Sequence, residues 1–407
     1  MGVFECLPCF GRRRPTVLES TTLPSSQDLP AKSAHSTVNS FDTDPESAES
    51  RTVASPPIQE IPDAPRIARS NRALTVSAKR TYAIIEEHPF PSLESDDEII
   101  ISTRAVGLNP IDWKSVDYNF CLPAFPWVTG REMAGIVEAF GSNVKDFKVG
   151  DRVWTSTYYK DSRAGCFQQY VAVPQHTVCH IPSNLSFESA SCLGVAGLTA
   201  AMTLWRWLQI PRTHAALHTT DPIPHPEYLL IWGGSSVTAQ FAIQIASRSG
   251  VKVVAVASSK TKALVESLGA THVVVRDGKT GDEIVKEIRE ITADNITRAI
   301  DLVGTETAQY CLSALSTEKD CIFAPLAMIS SKAVVPSNVV VETVEMKQFV
   351  LDPTSRVHAL ELGNLIEDGS VKLPSIDVLE GGLDSVQEGL DRLKKGDMQG
   401  RKLVVSF

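Results

Sequence analysis

The pattern of apolar and polar residues divides the chain into three parts. Up to about residue 68, apolar positions show almost no period and Ser, Thr and Pro are frequent, which is typical of a disordered, flexible tail. From Asn71 to about Pro182, short apolar or alternating runs are broken by glycine and polar turn residues, which predicts a compact β-rich domain. Beyond Ser186, strands alternate with helices to about residue 340, as in a parallel sheet covered on both faces.

Individual strands and helices follow from the spacing of the apolar residues. In the β-rich part, apolar runs predict strands at 82–85, 99–105, 135–140, 151–154 and 170–173. Residues 190–208 are largely apolar and predict a helix. Later runs predict strands at 272–275, 298–302 and 320–324. The second half of the chain is therefore expected to be an α/β fold with a doubly wound parallel sheet.

A glycine turn in this sheet is the best candidate for a nucleotide site. Residues 228–232 predict a buried strand, 238–249 a helix closed by Gly250, and 251–257 the next strand. Glycines let a pyrophosphate approach the helix N-terminus, where the N–H groups and the dipole favour negative charge. The predicted contacts are Gly233, Gly234, Ser235, Ser236, Val237 and Thr238. A third glycine is absent near Thr238, and a βαβ unit without a ligand is the alternative.

The end of the next strand indicates which dinucleotide is bound. NAD-binding folds usually carry Asp or Glu there for the ribose 2′-OH, whereas this chain has Ser258 and Ser259, followed by Lys260 and Lys262. Hydroxyl and ammonium groups favour a 2′-phosphate, so NADPH is predicted rather than NADH. The alternative is that the lysines belong to a solvated helix start. Arg276, at the end of another strand, is a further candidate contact.

Two loops complete the predicted cofactor site. Val303 and Gly304 follow one predicted strand, and Pro325 and Leu326 follow the next. Both loops come at the carboxyl edge of the sheet, where such folds bind their ligands.

Composition excludes several classes of protein. The 407 residues include 39 basic and 48 acidic side chains, a net charge of -9, so nucleic acid is not expected as a partner. The hydrophobic content of 43% and charged content of 21% describe a soluble globular protein, and no uninterrupted apolar run reaches the roughly 18 to 20 residues of a membrane span. The eight cysteines are scattered, which favours a reduced, cytoplasmic compartment.

The first residues of the tail suggest one way to reach a membrane. Gly2, Cys6 and Cys9 are candidate sites for acylation, and residues 12–14 are all arginine. Two such signals together are what stable anchoring requires. Cys6 occupies the position where the myristoylation pattern has Ser or Thr, and a plain disordered extension is the alternative.

The order of short motifs resembles the medium-chain dehydrogenase/reductase superfamily, specifically its zinc-free enoyl reductase and quinone reductase branch. The motifs lie at 107–114, 130–137, 149–153, 165–170, 197–200, 233–236 and 400–405. Within that branch, the chain is most similar to the trans-acting enoyl reductases of polyketide pathways. The resemblance implies a GroES-like β-barrel catalytic domain at about 70–195 and 345–407, interrupted by a Rossmann domain at 196–344.

The resemblance also bears on zinc. The zinc-dependent members hold the metal with two cysteines and a histidine. This chain has Asn109 and Arg131 at two of those positions, and only Cys192 lies at a plausible third. One thiolate does not make a site that needs three protein ligands, and an arginine would repel the metal. No metal is expected, and Cys192 is interpreted as a small buried apolar residue.

By the same resemblance, Asn109, Lys114 and Thr199 line the cleft near the nicotinamide, and Tyr118 stands at its rim. Lys114 is the candidate for stabilising charge on the substrate carbonyl, and Thr199 for orienting the nicotinamide or a thioester carbonyl. An exposed barrel lysine is the alternative for Lys114. Asp112 is expected to tie down its own turn.

These observations together predict an NADPH-dependent, zinc-independent oxidoreductase that transfers hydride to an activated alkene in an acyl thioester or another small molecule. Two alternatives stay open: a quinone reductase, and a protein that binds the cofactor without catalysis as a sensor or assembly partner. A monomer and a homodimer are both compatible with the sequence.

Overall fold

The computed structural model describes residues 70–158, 160–212, 227–396 and 398–407. The predictions of a disordered tail at 1–68 and of acylation at Gly2, Cys6 and Cys9 lie outside these residues.

Antiparallel strands dominate the first part of the described chain, as predicted. They are β1 (Asn71–Ala78), β2 (Thr81–His88), β3 (Glu98–Gly107), β4 (Trp127–Val128), β5 (Glu132–Phe140), β6 (Arg152–Ser156), β7 (Tyr170–Pro174) and β8 (Val178–His180). Strand β3 is central, because it pairs with β5 along its length and with β7 along its first half. The one helix described among these strands is α1 (Pro110–Tyr118), which begins directly after β3.

Parallel strands form the middle of the chain. They are β9 (Tyr228–Trp232), β10 (Lys252–Ala257), β11 (His272–Val275), β12 (Ile296–Asp301), β13 (Cys321–Pro325) and β14 (Val339–Val341). The helices between them are α3 (Val237–Arg248), α4 (Lys262–Ser267), α5 (Gly281–Thr292) and α6 (Thr305–Ala314). Within the described residues the strand order is β11-β10-β9-β12-β13-β14. The order reverses between β9 and β12, and this opens a ligand crevice at the carboxyl edge.

Helix α2 (Phe187–Trp207) connects the two sheets and contains π-helical turns at Leu193–Gly197 and Thr203–Trp207. The hydroxyl of Ser186 caps its start by accepting from the Ser189 N–H at 3.2 Å. Helix α2 is long and apolar enough, by length and composition, to cross a membrane. The sequence did not predict this, because α2 contains no uninterrupted apolar run of that length. Because 78% of its most apolar window is buried inside the protein, α2 is interpreted as a core helix.

The chain returns to the first sheet near its C-terminal end. The elements of this part are α7 (Lys347–Leu351), α8 (Arg356–Glu367), β15 (Ile376–Leu379), α9 (Leu383–Lys395) and β16 (Lys402–Ser406). Strand β16 pairs with the last residues of β3 and with β15, so it completes the sheet beside the start of α1. The domain limits near 195 and 345 stay predictions.

One cluster of buried apolar residues extends from the antiparallel strands to the parallel sheet. Trp154 of β6, Leu193 of α2, Phe241 of α3 and Leu362 of α8 belong to a single cluster of buried residues. Helix α2 therefore packs against both parts of the molecule, and a residue on its surface can face the space between them.

Candidate functional site

The turn between β9 and α3 has the geometry that a bound pyrophosphate needs. Gly233 has φ +90°, and the N–H groups of Gly233 and Gly234 both donate to the Val256 carbonyl, at 3.2 and 2.9 Å. A Cβ on Gly234 would lie 2.9 Å from the Cβ of Ala255, so a side chain there would force the turn apart. The Ser236 hydroxyl caps α3 by accepting from the N–H of Ala239. The N-terminus of α3 thus follows the glycine turn directly, and a helix N-terminus favours an anion.

The remaining residues of the glycine turn are partly open to solvent. Ser235, Val237 and Thr238 are half-buried, whereas the helix is buried from its next residue. The Gln240 side-chain amide donates to the carbonyls of Ser235 and Gly400, at 3.0 and 2.6 Å. The turn is therefore connected to the segment that leads into β16.

The predicted loops after β12 and β13 come together beside this turn. A Cβ on Gly233 would lie 2.9 Å from Cγ2 of Val303, whose side chain is 55% exposed. The Gly304 N–H donates to Asp301 Oδ2 at 3.1 Å, and the Leu326 N–H donates to the Asp301 carbonyl at 2.9 Å. Pro325, the last residue of β13, directly precedes Leu326. The structure thus brings these predicted residues to one edge of the sheet.

The corner predicted for the 2′-phosphate contains an acidic residue that the sequence analysis missed. The Ser259 N–H donates to Asp277 Oδ2 at 2.5 Å. Hydrogen bonds from the side chain and the backbone of Ser259, together with the charges of Arg276 and Lys260, lower the pKa of Asp277. Asp277 comes from the loop after β11 and is exposed, so the acidic group reaches this corner from the neighbouring strand.

Two predicted contacts at this corner already have protein partners. The hydroxyl of Ser258 shares a hydrogen bond of 3.0 Å with the hydroxyl of Thr261, and the ammonium of Lys262 pairs with Glu266 at 3.7 Å. Both partners lie in the same short helical stretch, and Lys262 and Glu266 are about half exposed. A phosphate at this corner would compete with these contacts in solvent.

Asn109 and Asp112 fix the start of helix α1. Asp112 Oδ2 accepts from the Asn109 N–H at 2.8 Å, which confirms that Asp112 ties down its own turn. Burial raises the pKa of Asp112 to about 7, while the Asn109 hydrogen bond and the charges of Arg131 and Lys402 act in the opposite direction. Within the described residues, the second carboxyl oxygen is buried without a hydrogen-bond partner.

Lys114 and Tyr118 lie one helical turn apart on α1, and both are close to the indole ring of Trp113. The Lys114 ammonium is 5.7 Å from the centre of the Trp113 ring, and the ring of Tyr118 is 6.2 Å from the same ring. A second ammonium, that of Lys394 on α9, is 5.6 Å from this indole and forms an ion pair with Asp117. Lys114 is half-buried and Tyr118 is 50% exposed, so both side chains are accessible.

Thr199 lies on the one side of α2 that is not fully buried in this stretch. Among residues 190–204, only Val195 and Thr199 are half-buried, and they are four residues apart on the same helical face. No hydrogen bond joins Thr199 to Lys114 in the part of the chain that the structure describes. The link between their two helices is indirect.

That link is a buried polar network centred on Glu132 and Lys402. The Lys402 ammonium pairs with Glu132 Oε1 and donates to Asn109 Oδ1 at 2.7 Å. The Asn109 amide donates to Glu132 Oε1 at 2.8 Å, and the Val195 N–H donates to Glu132 Oε2 at 2.6 Å. The side chains of Lys402 and Glu132 are 3% and 0% exposed. Asn109 is thus bonded inside the barrel, and its predicted contact with the cleft stays a prediction.

The sequence analysis did not single out Glu132 or Lys402. Each lies in one of the family-like motifs, at the first residue of a strand whose next three residues are apolar or glycine. Two opposite charges at the ends of buried strands are a signal for an internal ion pair, because such charges are rarely buried unless paired.

The residues at the expected zinc position do not form a ligand set. Asn109 is engaged with Glu132 and Lys402, and burial raises the pKa of the Cys192 thiol to about 12, which disfavours the thiolate that a metal needs. Among the described residues, no group of three or more His, Cys, Asp or Glu side chains is arranged to hold a metal ion.

Two family models match the chain. The alcohol dehydrogenase GroES-like domain matches residues 95–183, and the zinc-binding dehydrogenase family matches residues 238–348. The first match covers strands β3 to β8, and the second begins within α3 and covers strands β10 to β14. The predicted combination of a GroES-like barrel and a Rossmann sheet is thereby confirmed.

The chain is also similar to whole proteins. A trans-enoyl reductase of Petromyces alliaceus is 30% identical over 334 residues, which is 77% of this chain and 90% of that protein. A trans-enoyl reductase of Aspergillus sclerotiorum is 30% identical over 367 residues, covering 82% of this chain and 99% of the relative.

Solved structures share the fold at lower identity. The CurK enoyl reductase has a TM-score of 0.68 at 20% identity and covers 83% of this chain and 99% of its own. The Escherichia coli quinone oxidoreductase, solved in complex with NADPH, has a TM-score of 0.64 at 20% identity and covers 83% of this chain and 100% of its own. The chain therefore belongs to the medium-chain dehydrogenase/reductase superfamily, in its enoyl-reductase branch.

Proposed function

We propose that this protein is a zinc-independent, NADPH-dependent oxidoreductase that reduces an activated carbon–carbon double bond in an enoyl thioester or an enone. One observation carries the proposal: Asn109, which stands where the resemblance expects a zinc ligand of the zinc-dependent members, is held in a buried network with Glu132 and Lys402. Carbonyl reduction in this superfamily relies on a Lewis acid, whereas a conjugated alkene is activated by its own carbonyl group. The trans-enoyl reductases among the relatives support the same reaction class.

The residues at the sheet edge fit a phosphorylated dinucleotide. The N-terminus of α3 at Val237 would hold the pyrophosphate, which Gly233 and Gly234 would let approach, and Ser259 with Lys260 would contact the 2′-phosphate. Val303 and Leu326 would lie along the nicotinamide half. When bound, NADPH supplies a hydride from its nicotinamide ring.

The substrate side of the proposal rests on α1 and α2. Reduction at the β carbon of the substrate places negative charge on its carbonyl oxygen, and the Lys114 ammonium would stabilise that charge. The half-buried Thr199 would orient the thioester carbonyl or the nicotinamide amide, with Tyr118 at the rim. A lysine or water would deliver the proton to the α carbon.

The test is NADPH consumption by the purified full-length protein against enoyl thioesters, enones, quinones and aldehydes, each with and without a chelator. We expect turnover of an enoyl thioester or enone that is unchanged by the chelator and faster with NADPH than with NADH. Turnover of quinones alone would favour the quinone reductase, and tight NADPH binding without turnover would favour a sensor. Loss of activity with the chelator would contradict zinc independence. Oligomeric state and cytoplasmic location stay predictions.

A further inference from the structure

A buried ion pair lies where the elements that carry the candidate site meet. Lys402 is the first residue of β16. It lies two residues after Gly400, whose carbonyl accepts a hydrogen bond from Gln240 of α3. Its partner Glu132 is the first residue of β5 and contacts α2 through the Val195 N–H. The pair thus contacts or adjoins three elements that also carry predicted site residues: α1, α2 and the segment beside the glycine turn.

The backbone around Glu132 is built for close approach. A Cβ on Gly194 would lie 2.8 Å from the Glu132 Cβ, and a Cβ on Gly107 would collide with Glu132 Oε1. The same added atoms would also collide with the backbone carbonyls of Ser191 and Thr155. Glycine at these two positions therefore lets the end of β3 and the first π turn of α2 pack closely around Glu132 and the neighbouring backbone.

Stability alone does not account for this pair. Removing two charges from water is unfavourable, and replacing a buried ion pair by uncharged residues of similar volume is often neutral or stabilising. An ionic network that joins separate elements can instead fix one arrangement of them, because its hydrogen bonds are directional. Here the network joins Asn109, which caps the helix with Lys114, to Val195, one turn before Thr199.

We propose that Lys402 and Glu132 are a positioning pair that holds α1 and α2 in the one relative placement where Lys114 and Thr199 can act on the same substrate. The proposal rests on the proposed function for its kinetic consequence, but the placement itself is measurable without any substrate. Neither side chain is assigned a contact with the substrate.

The experiment uses the double variant E132Q/K402M of the full-length chain. Glutamine and methionine keep the shapes of the two side chains and remove both charges, so the variant is expected to fold. The matched control is E98Q/R163M, which removes a partly buried pair whose side chains are 11% and 17% exposed. Glu98 is the first residue of β3, roughly 30 Å along the strand from Gly107.

Three quantities are measured on wild type and both double variants. They are amide hydrogen exchange in α1 and at residues 193–199, the Kd for NADPH by fluorescence, and kcat with KM for the best substrate. For E132Q/K402M we expect severalfold faster exchange in those two segments, an unchanged Kd, and kcat lowered roughly tenfold to hundredfold with KM changed less than threefold. For E98Q/R163M we expect all three quantities to stay near wild type.

A folded E132Q/K402M protein with wild-type kcat would overturn the proposal, whatever its exchange. If no substrate is turned over by the wild type, the proposed function fails separately, and the exchange comparison decides. Unchanged exchange in α1 and at 193–199 would then reject the positioning pair, and faster exchange confined to these segments would support it.

Discussion

At the carboxyl edge of the parallel sheet, Ser259, Lys260 and Asp277 are exposed, whereas at the start of β5 and β16 Glu132 and Lys402 are buried. The exposed groups exchange partners with water and can exchange them with a phosphate. The buried groups have no solvent to replace a lost partner, so breaking their contacts is costly in the folded protein. One region is thus suited to binding, and the other to setting geometry. Substitutions should separate the two regions by the size and kind of their effects.

The largest effect is expected in the buried region. Replacing Lys402 by methionine alone leaves the Glu132 carboxylate buried without its cation, which should lower the free energy of unfolding by about 3–5 kcal/mol. Urea unfolding at pH 7 measures this. The control K252M removes an ion pair whose side chains are 51% and 48% exposed, and should leave the stability near that of the wild type. Similar losses in both variants would remove the distinction between the two regions.

The next effect concerns the substrate side. K114A should lower kcat about hundredfold while leaving the Kd for NADPH unchanged, because the ammonium acts on charge that develops in the transition state. K394A is the control, since the ammonium of Lys394 lies near the same Trp113 ring but pairs with Asp117. If both variants lose the same fraction of kcat, Lys114 has no special role in catalysis, and the alternative of an exposed barrel lysine holds.

The pH dependence of stability comes third. Because burial raises the pKa of Asp112 to about 7, the native state keeps a proton that the unfolded state loses near pH 4, so this group lowers stability as pH rises between them. D112N should therefore gain about 2 kcal/mol relative to wild type between pH 5 and pH 7. Burial lowers the pKa of His358 to about 4, and this group acts in the opposite direction. Its contribution to stability is the same in both proteins and cancels in the difference. Parallel stability curves for the two proteins would refute this assignment.

The smallest effect is expected at the exposed corner. D277N removes a carboxylate that holds the Ser259 N–H, and should tighten NADPH binding about threefold to tenfold while leaving NADH binding unchanged. Fluorescence titration at low ionic strength measures both constants, with D282N as a control carboxylate on α5, exposed and in a first helical turn. Equal changes for NADPH and NADH would show that Asp277 does not face the 2′-phosphate.

The two regions also differ in how far the sequence predicted them. The glycine turn, its flanking strands and the loops with Val303 and Leu326 lie where the sequence places them, because each depends on a local pattern of apolar residues and glycines. Asp277 was missed because it comes from a neighbouring strand rather than from the end of β10. Asn109 was assigned to the cleft by its position in a motif, although the hydrogen bonds of its side chain lie inside the barrel.

The sequence by itself determined the βαβ unit, its glycine turn and the family of the chain, since these depend on short motifs of residues close together along the chain. Only the tertiary structure paired Lys402 with Glu132, which are 270 residues apart. Hydrophobic periodicity does not specify which buried charges meet, because that depends on strand order and register across a whole sheet. The same packing decided that α1 and α2 are joined through this pair.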